Sequence, residues 1–102
     1  MRTSSRFREA ATFLKKNAGI AYPIYIRRMR MSFDLDGSCE FRKDHFLIKV
    51  SRELNEDHSI DVVLHEVAHA MSWDKDDDVH GRNWGLAYSK IYRKFLDDFL
   101  NR

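Results

Sequence analysis

With 102 residues, 43% of them hydrophobic, the chain has material for one domain around one modest core, so a single domain over residues 1–102 is expected. Charged residues make up 33% of it, and no apolar run approaches the roughly 20 residues of a membrane span, which argues against a membrane protein. The net charge of +2 hides an uneven distribution: eight Lys/Arg against one Glu in residues 1–30, five against thirteen acids in residues 31–80, and five against two in residues 81–102.

The first residues, Met1 to Arg8, are basic but lead into no apolar stretch and no small-residue cleavage site. No secretory signal is predicted, and a cytoplasmic location is expected, the host's if the chain comes from a phage. Cys39 is the single cysteine, which excludes an internal disulfide and a thiolate-rich zinc site. Its neighbours Ser38 and Glu40 offer no positive charge, so the thiol is read as inert.

In chain order, Ser4 or Ser5 can cap a first helix in which Phe7, Ala10, Ala11 and Leu14 share one face and Gly19 ends the element. The segment Ile20 to Met31 follows as an extended stretch with Tyr22, Ile24 and Ile26 on one side, and Pro23 points to an edge or a strand start. Asp36-Gly37 signals a turn. Glu40 to Arg42 and His45 to Ser51 then read as two strands joined at Lys43-Asp44. From an N-cap at Asp57 or Ser59, Ile60 to Trp73 has apolar residues at 60, 63, 64, 67, 68 and 71, a helical period with no breaker. The acids Asp74, Asp76, Asp77 and Asp78 form a loop, and a last helix from near Asn83 carries Trp84, Ala87, Tyr88, Ile91, Phe95 and Phe99 in one stripe. The expected architecture is α+β: an N-terminal helix, a three-stranded mostly antiparallel sheet, the breaker-free helix, and a C-terminal helix.

His65-Glu66-Val67-Ala68-His69 falls in the middle of the breaker-free helix. Residues four apart share a helical face, about 6 Å apart along the axis, so two imidazoles can converge on one zinc ion. Glu66 projects roughly 100° around the helix from His65, where it suits a general base acting on zinc-bound water in peptide-bond hydrolysis. A catalytic zinc needs a third protein ligand and an open fourth position. His80, followed by Gly81, is the favoured third ligand because imidazole is the commonest metal ligand; Asp74, Asp76, Asp77 and Asp78 are its rivals. A calcium loop over the same acids is excluded, since Val79 and Gly85 stand where Gly and Glu are needed. Tyr88, Tyr92, Arg82 and His45 are candidate oxyanion donors, Tyr88 also belonging to the apolar stripe. Asp61, one turn before His65, can orient that imidazole or serve as an ordinary acid of the first turn; His58 reads as a surface residue. An edge strand near Glu40 or near Phe46 can pair with an extended substrate.

These residues resemble the SprT-like family of zincin metallopeptidases, best known for cleaving proteins attached to DNA. The resemblance rests on His65 to Ala70, the later His80-Gly81 with Trp84, and the apolar strand leading through Leu54 into the helix, about residues 45–95. It implies a zincin-like minimal metallopeptidase fold, Zn2+ held by His65, His69 and His80, Glu66 as the catalytic base, and a protein or peptide substrate. Many members carry a further zinc ribbon or DNA-binding segment; the single Cys39 cannot build a zinc ribbon. DNA contact then falls to the basic N-terminal region, including Arg27, Arg28 and Arg30. The competing class is a non-catalytic zinc-binding module that contacts nucleic acid or a protein partner.

Overall fold

The computed structural model describes residues 5–75 and 79–101; the candidate cap Ser4, the side chain of Ser5 and the loop acids Asp76, Asp77 and Asp78 lie outside what it describes. Helix α1 spans Ser5–Asn17, and Phe7, Ala10, Ala11 and Leu14 are all buried on its inner face. It stops ahead of Gly19, whose φ of +67° is the left-handed conformation that glycine adopts without strain.

Strands β1 (Ile24–Met29), β2 (Gly37–Arg42) and β3 (His45–Ser51) form one sheet in the order β1-β3-β2. β3 alternates buried Phe46, Ile48 and Val50 with half-buried neighbours, and the strand with most apolar surface to cover takes the centre. Its pairing with β2 is antiparallel, closed by a tight turn in which Lys43 has φ 58°. Its pairing with β1 is parallel, so the sheet is mixed and not mostly antiparallel. β1 and β2 run in opposite directions, and inserting β3 between them forces one pairing of each kind. The turn expected at Asp36-Gly37 lies earlier, where the Leu35 amide donates to the Ser32 carbonyl, and Gly37 instead opens β2.

Helix α2 spans Glu56–Met71 and is the hub of the fold, packed against β2, β3, α1 and α3. Neither Asp57 nor Ser59 caps it. The cap is Asn55, whose side-chain oxygen accepts the His58 amide at 2.8 Å, so the helix starts one turn earlier than the apolar periodicity indicates. Ser59 is fully buried and donates to the Glu56 carbonyl at 2.7 Å, while Asp57 sits in the first turn, where its charge favours the positive end of the helix dipole. Ile60, Val63, Leu64, Val67 and Ala68 are buried. Truncating a side chain such as Leu64 to alanine costs about 2–5 kcal/mol.

Helix α3 spans Arg82–Phe95 and continues through a π-helical turn, Leu96–Leu100, which stacks Phe99 on Phe95 at 4.8 Å and brings both against Phe13 of α1. Ile91, Phe95 and Phe99 complete the core, and no helix among the described residues is long and apolar enough to cross a membrane.

Candidate functional site

The middle of α2 is held rigidly by its buried stripe, so His65 and His69 have fixed origins four residues apart, on a flank the core does not use. Their Nε2 atoms lie 3.1 Å apart. His80 comes from the turn just before α3 and reaches the same point, its Nε2 3.1 Å from that of His65. The three ligand atoms all fall within 4.8 Å of one another. Tetrahedral coordination with Zn–N bonds near 2.0–2.1 Å separates ligand nitrogens by about 3.3 Å, so the two 3.1 Å separations from His65 and the all-imidazole donor set fit zinc. Burial, followed by the charge of His80, lowers the pKa of His65; burial, then His65 and His80, pushes His69 down to about 4. Both rings are thus neutral at pH 7, the state in which imidazole offers a lone pair to a metal.

Glu66 points from the same helix towards β2. It is 7% exposed, accepts no hydrogen bond from any described residue, and burial pushes its carboxyl up to about 7. Gly37 makes room for it: a β-carbon there would meet Val62 Cγ1 at 2.5 Å, the Lys49 carbonyl at 3.0 Å and a Glu66 oxygen at 3.4 Å. Gly37 is not the turn residue that Asp36-Gly37 suggests; a glycine at the start of a strand also marks close approach of two elements, and that is its role here. Cys39, two residues along the same strand, lines the cleft, and burial together with the nearby Glu66 and Glu40 carboxylates pushes its thiol up to about 12.

Glu66 and His65 divide a cleft with two compartments of about 430 Å³ each. One is walled by Cys39, His69, Trp73, Val79 and His80, the other by Asp36, His58, Asp61, Val62 and Tyr88. Of the remaining sequence candidates, Tyr88 is at the site, half-buried and lining the second compartment, with its pKa raised by burial, then by Asp61 and Tyr92. Tyr92 stacks on Tyr88 at 5.8 Å and lines neither compartment, nor does the exposed Arg82. His45 is elsewhere, bonded to Asp44 at 2.9 Å and packed edge-on against Tyr25. Asp61 is exposed and makes no hydrogen bond to His65 among the described residues; its charge acts on Tyr88 instead. His58 is a surface residue as expected, 3.6 Å from Asp36. Asp74, exposed and with φ 59°, lines the cleft but stands outside the ligand cluster; Asp76, Asp77 and Asp78 lie outside the described residues. The sheet order leaves β2 as the strand edge beside Glu66, whereas Phe46 belongs to the central strand and has no free edge. In the basic region, Arg28 is committed to the carbonyls of Leu54 (2.6 Å) and Arg52 (3.4 Å), with its guanidinium over the Phe7 ring; Arg27 and Arg30 remain exposed.

A family model described as the SprT-like family matches residues 4–99, extending the likeness through α1, β1 and β2. No curated protein matches the sequence significantly. Among solved structures, the chain is similar to the crystal structure of the metallopeptidase zymogen of Pyrococcus abyssi abylysin, with a TM-score of 0.60 at 13% identity over 92% of this chain and 95% of that one. At that identity the likeness is one of fold, and activity has to be argued from the site.

Proposed function

This chain belongs to the SprT-like family, and from that premise we propose that it is a zinc-dependent endopeptidase acting on protein substrates. The observation that carries the reading is the convergence of three imidazoles, with a buried carboxylate beside them that accepts no hydrogen bond among the described residues, at the border of the β2 strand edge. His65, His69 and His80 would hold the ion, which when bound supplies an acidified water and a Lewis acid for the scissile carbonyl.

The chain's own residues account for the rest of the chemistry. Glu66 takes the proton from the attacking water as general base and passes it to the leaving amine. The edge of β2 pairs with an extended stretch of substrate, and the phenol of Tyr88, kept protonated by its raised pKa, is the donor best placed to meet the developing oxyanion. Among the described residues the ligand cluster has three members, which supports an open catalytic site over a closed structural one. DNA-associated proteins are the substrate class that the family membership suggests, with Arg27, Arg30 and the exposed cations of α1 as the contacts available.

The test compares wild type with Glu66→Gln for bound zinc and for cleavage of an unstructured protein. The variant is expected to keep zinc and to lose cleavage by about 10²–10⁴-fold. Equal cleavage by the two proteins would remove Glu66 as the base.

A further inference from the structure

His65 and His69 are fixed by the helix they share, but His80 is exposed and comes from the turn just before α3. Something must hold it in place. Among the described residues, Trp84 on the first turn of α3 touches all three imidazoles, with ring centroids 5.0 Å from His65, 5.5 Å from His69 and 4.7 Å from His80. Its indole N–H donates to the backbone carbonyl of His65 at 3.3 Å, tying the start of α3 to the middle of α2 at the level of the first ligand. Trp84 is half-buried, stands outside the buried core cluster, and lines neither compartment of the cleft. Its ring also packs against Tyr88 at 5.2 Å, so it bridges α3 to the imidazoles.

An indole nitrogen is a hydrogen-bond donor with no lone pair to offer, so Trp84 can press against three ligands without competing with them for an ion. We propose that Trp84 is the positioning residue of the metal centre, holding His80 against His65 and His69 and closing the cluster on the side that the cleft does not reach. This rests on the reading that the three histidines hold a metal. Groups that orient metal ligands without touching the ion typically change affinity by about 10–100-fold when removed.

The experiment titrates the metal-free protein with zinc, and separately with cobalt(II), whose visible absorption reports ligand number and geometry, in wild type, W84A, W84F and His80→Ala. W84A is expected to bind zinc about 10–100-fold more weakly, with a cobalt spectrum displaced from wild type towards that of His80→Ala. W84F keeps a ring against the imidazoles and loses the N–H, so its loss is expected to be smaller, about threefold to tenfold; it carries the test if W84A does not fold. Weaker binding by W84A with an unchanged cobalt spectrum would overturn the proposal, because that is the signature of lost stability alone. Wild-type affinity and spectrum in both tryptophan variants would overturn it as well. Should wild type bind neither ion, the metal reading falls and the proposal with it, an outcome that the wild-type titration separates from the other two.

Discussion

Gly37 and Glu66 meet where the helix that carries the histidines passes the edge of the sheet, so closely that a β-carbon on the glycine would stand 3.4 Å from the carboxylate. Val62 Cγ1 is closer still, at 2.5 Å, and the Lys49 carbonyl, at 3.0 Å, is backbone of the central strand. Neither the helix nor the strand can yield without disturbing the core behind it.

Gly37→Ala is accordingly expected to destabilise the fold by about 1–3 kcal/mol in urea unfolding and to slow cleavage. Adding Val62→Ala removes the worst contact and should recover part of the stability. A fully stable Gly37→Ala protein would show that the approach of β2 to α2 is looser than described.

Glu66 makes the stability of the metal-free protein depend on pH. Its carboxyl is raised from the ordinary 4.5 to about 7, so folding favours the protonated form. The contribution is present in full below about pH 4.5 and is lost as pH rises through about 7, up to about 3 kcal/mol for a shift of that size. In urea unfolding with a chelator present, wild type should lose stability relative to Glu66→Gln between pH 5 and pH 8. Parallel behaviour of the two proteins over that interval would contradict the burial assigned to the carboxylate.

His80 and Asp74 make opposite predictions for metal affinity. Removing one of three ligands costs at least as much as removing a group that only orients a ligand, so His80→Ala should weaken zinc binding by about a hundredfold or more. Asp74→Ala should leave it unchanged, since that side chain is outside the cluster. The left-handed backbone of Asp74 adds an independent check: Asp74→Gly is expected to stabilise the fold by about 0.5–1 kcal/mol. Isothermal titration and thermal melts of the same variants decide both points.

Cys39 should resist alkylation at pH 8, because burial and two neighbouring carboxylates push its thiol up to about 12. Iodoacetamide is expected to label it only after unfolding in urea. Rapid labelling of the native protein would show that the cleft opens to solvent at β2.

The stripe of α1, the alternation of β3 and the apolar face of α2 could all be read from the sequence, because burial imposes a period and each of these elements buries one face. Where α2 begins could not. Asn55, Asp57 and Ser59 are all chemically able to cap, and only the path of the chain out of β3 selects Asn55. The parallel pairing of β1 was equally hidden, since a strand's pattern reports which side is buried and nothing about its neighbours. His65, Glu66 and His69 stood out because helical spacing alone brings them together. The convergence of His80 depends on a turn and on Trp84, whose place after His80-Gly81 carries part of the resemblance but whose contacts with the imidazoles no sequence period shows. Gly37 carries no such signal, because turn glycines and close-approach glycines look the same in sequence until the partner helix is placed.

The position of β2 has a further meaning for what such a protein would cut. A strand edge offers a row of amides and carbonyls, and the partner that satisfies them is a length of backbone already pulled straight, whatever its side chains. A compact target keeps its own backbone paired and presents no such length. On the proposed reading, selection at this site is exercised on the target's flexibility before its sequence, and a protein becomes a substrate when it begins to unravel.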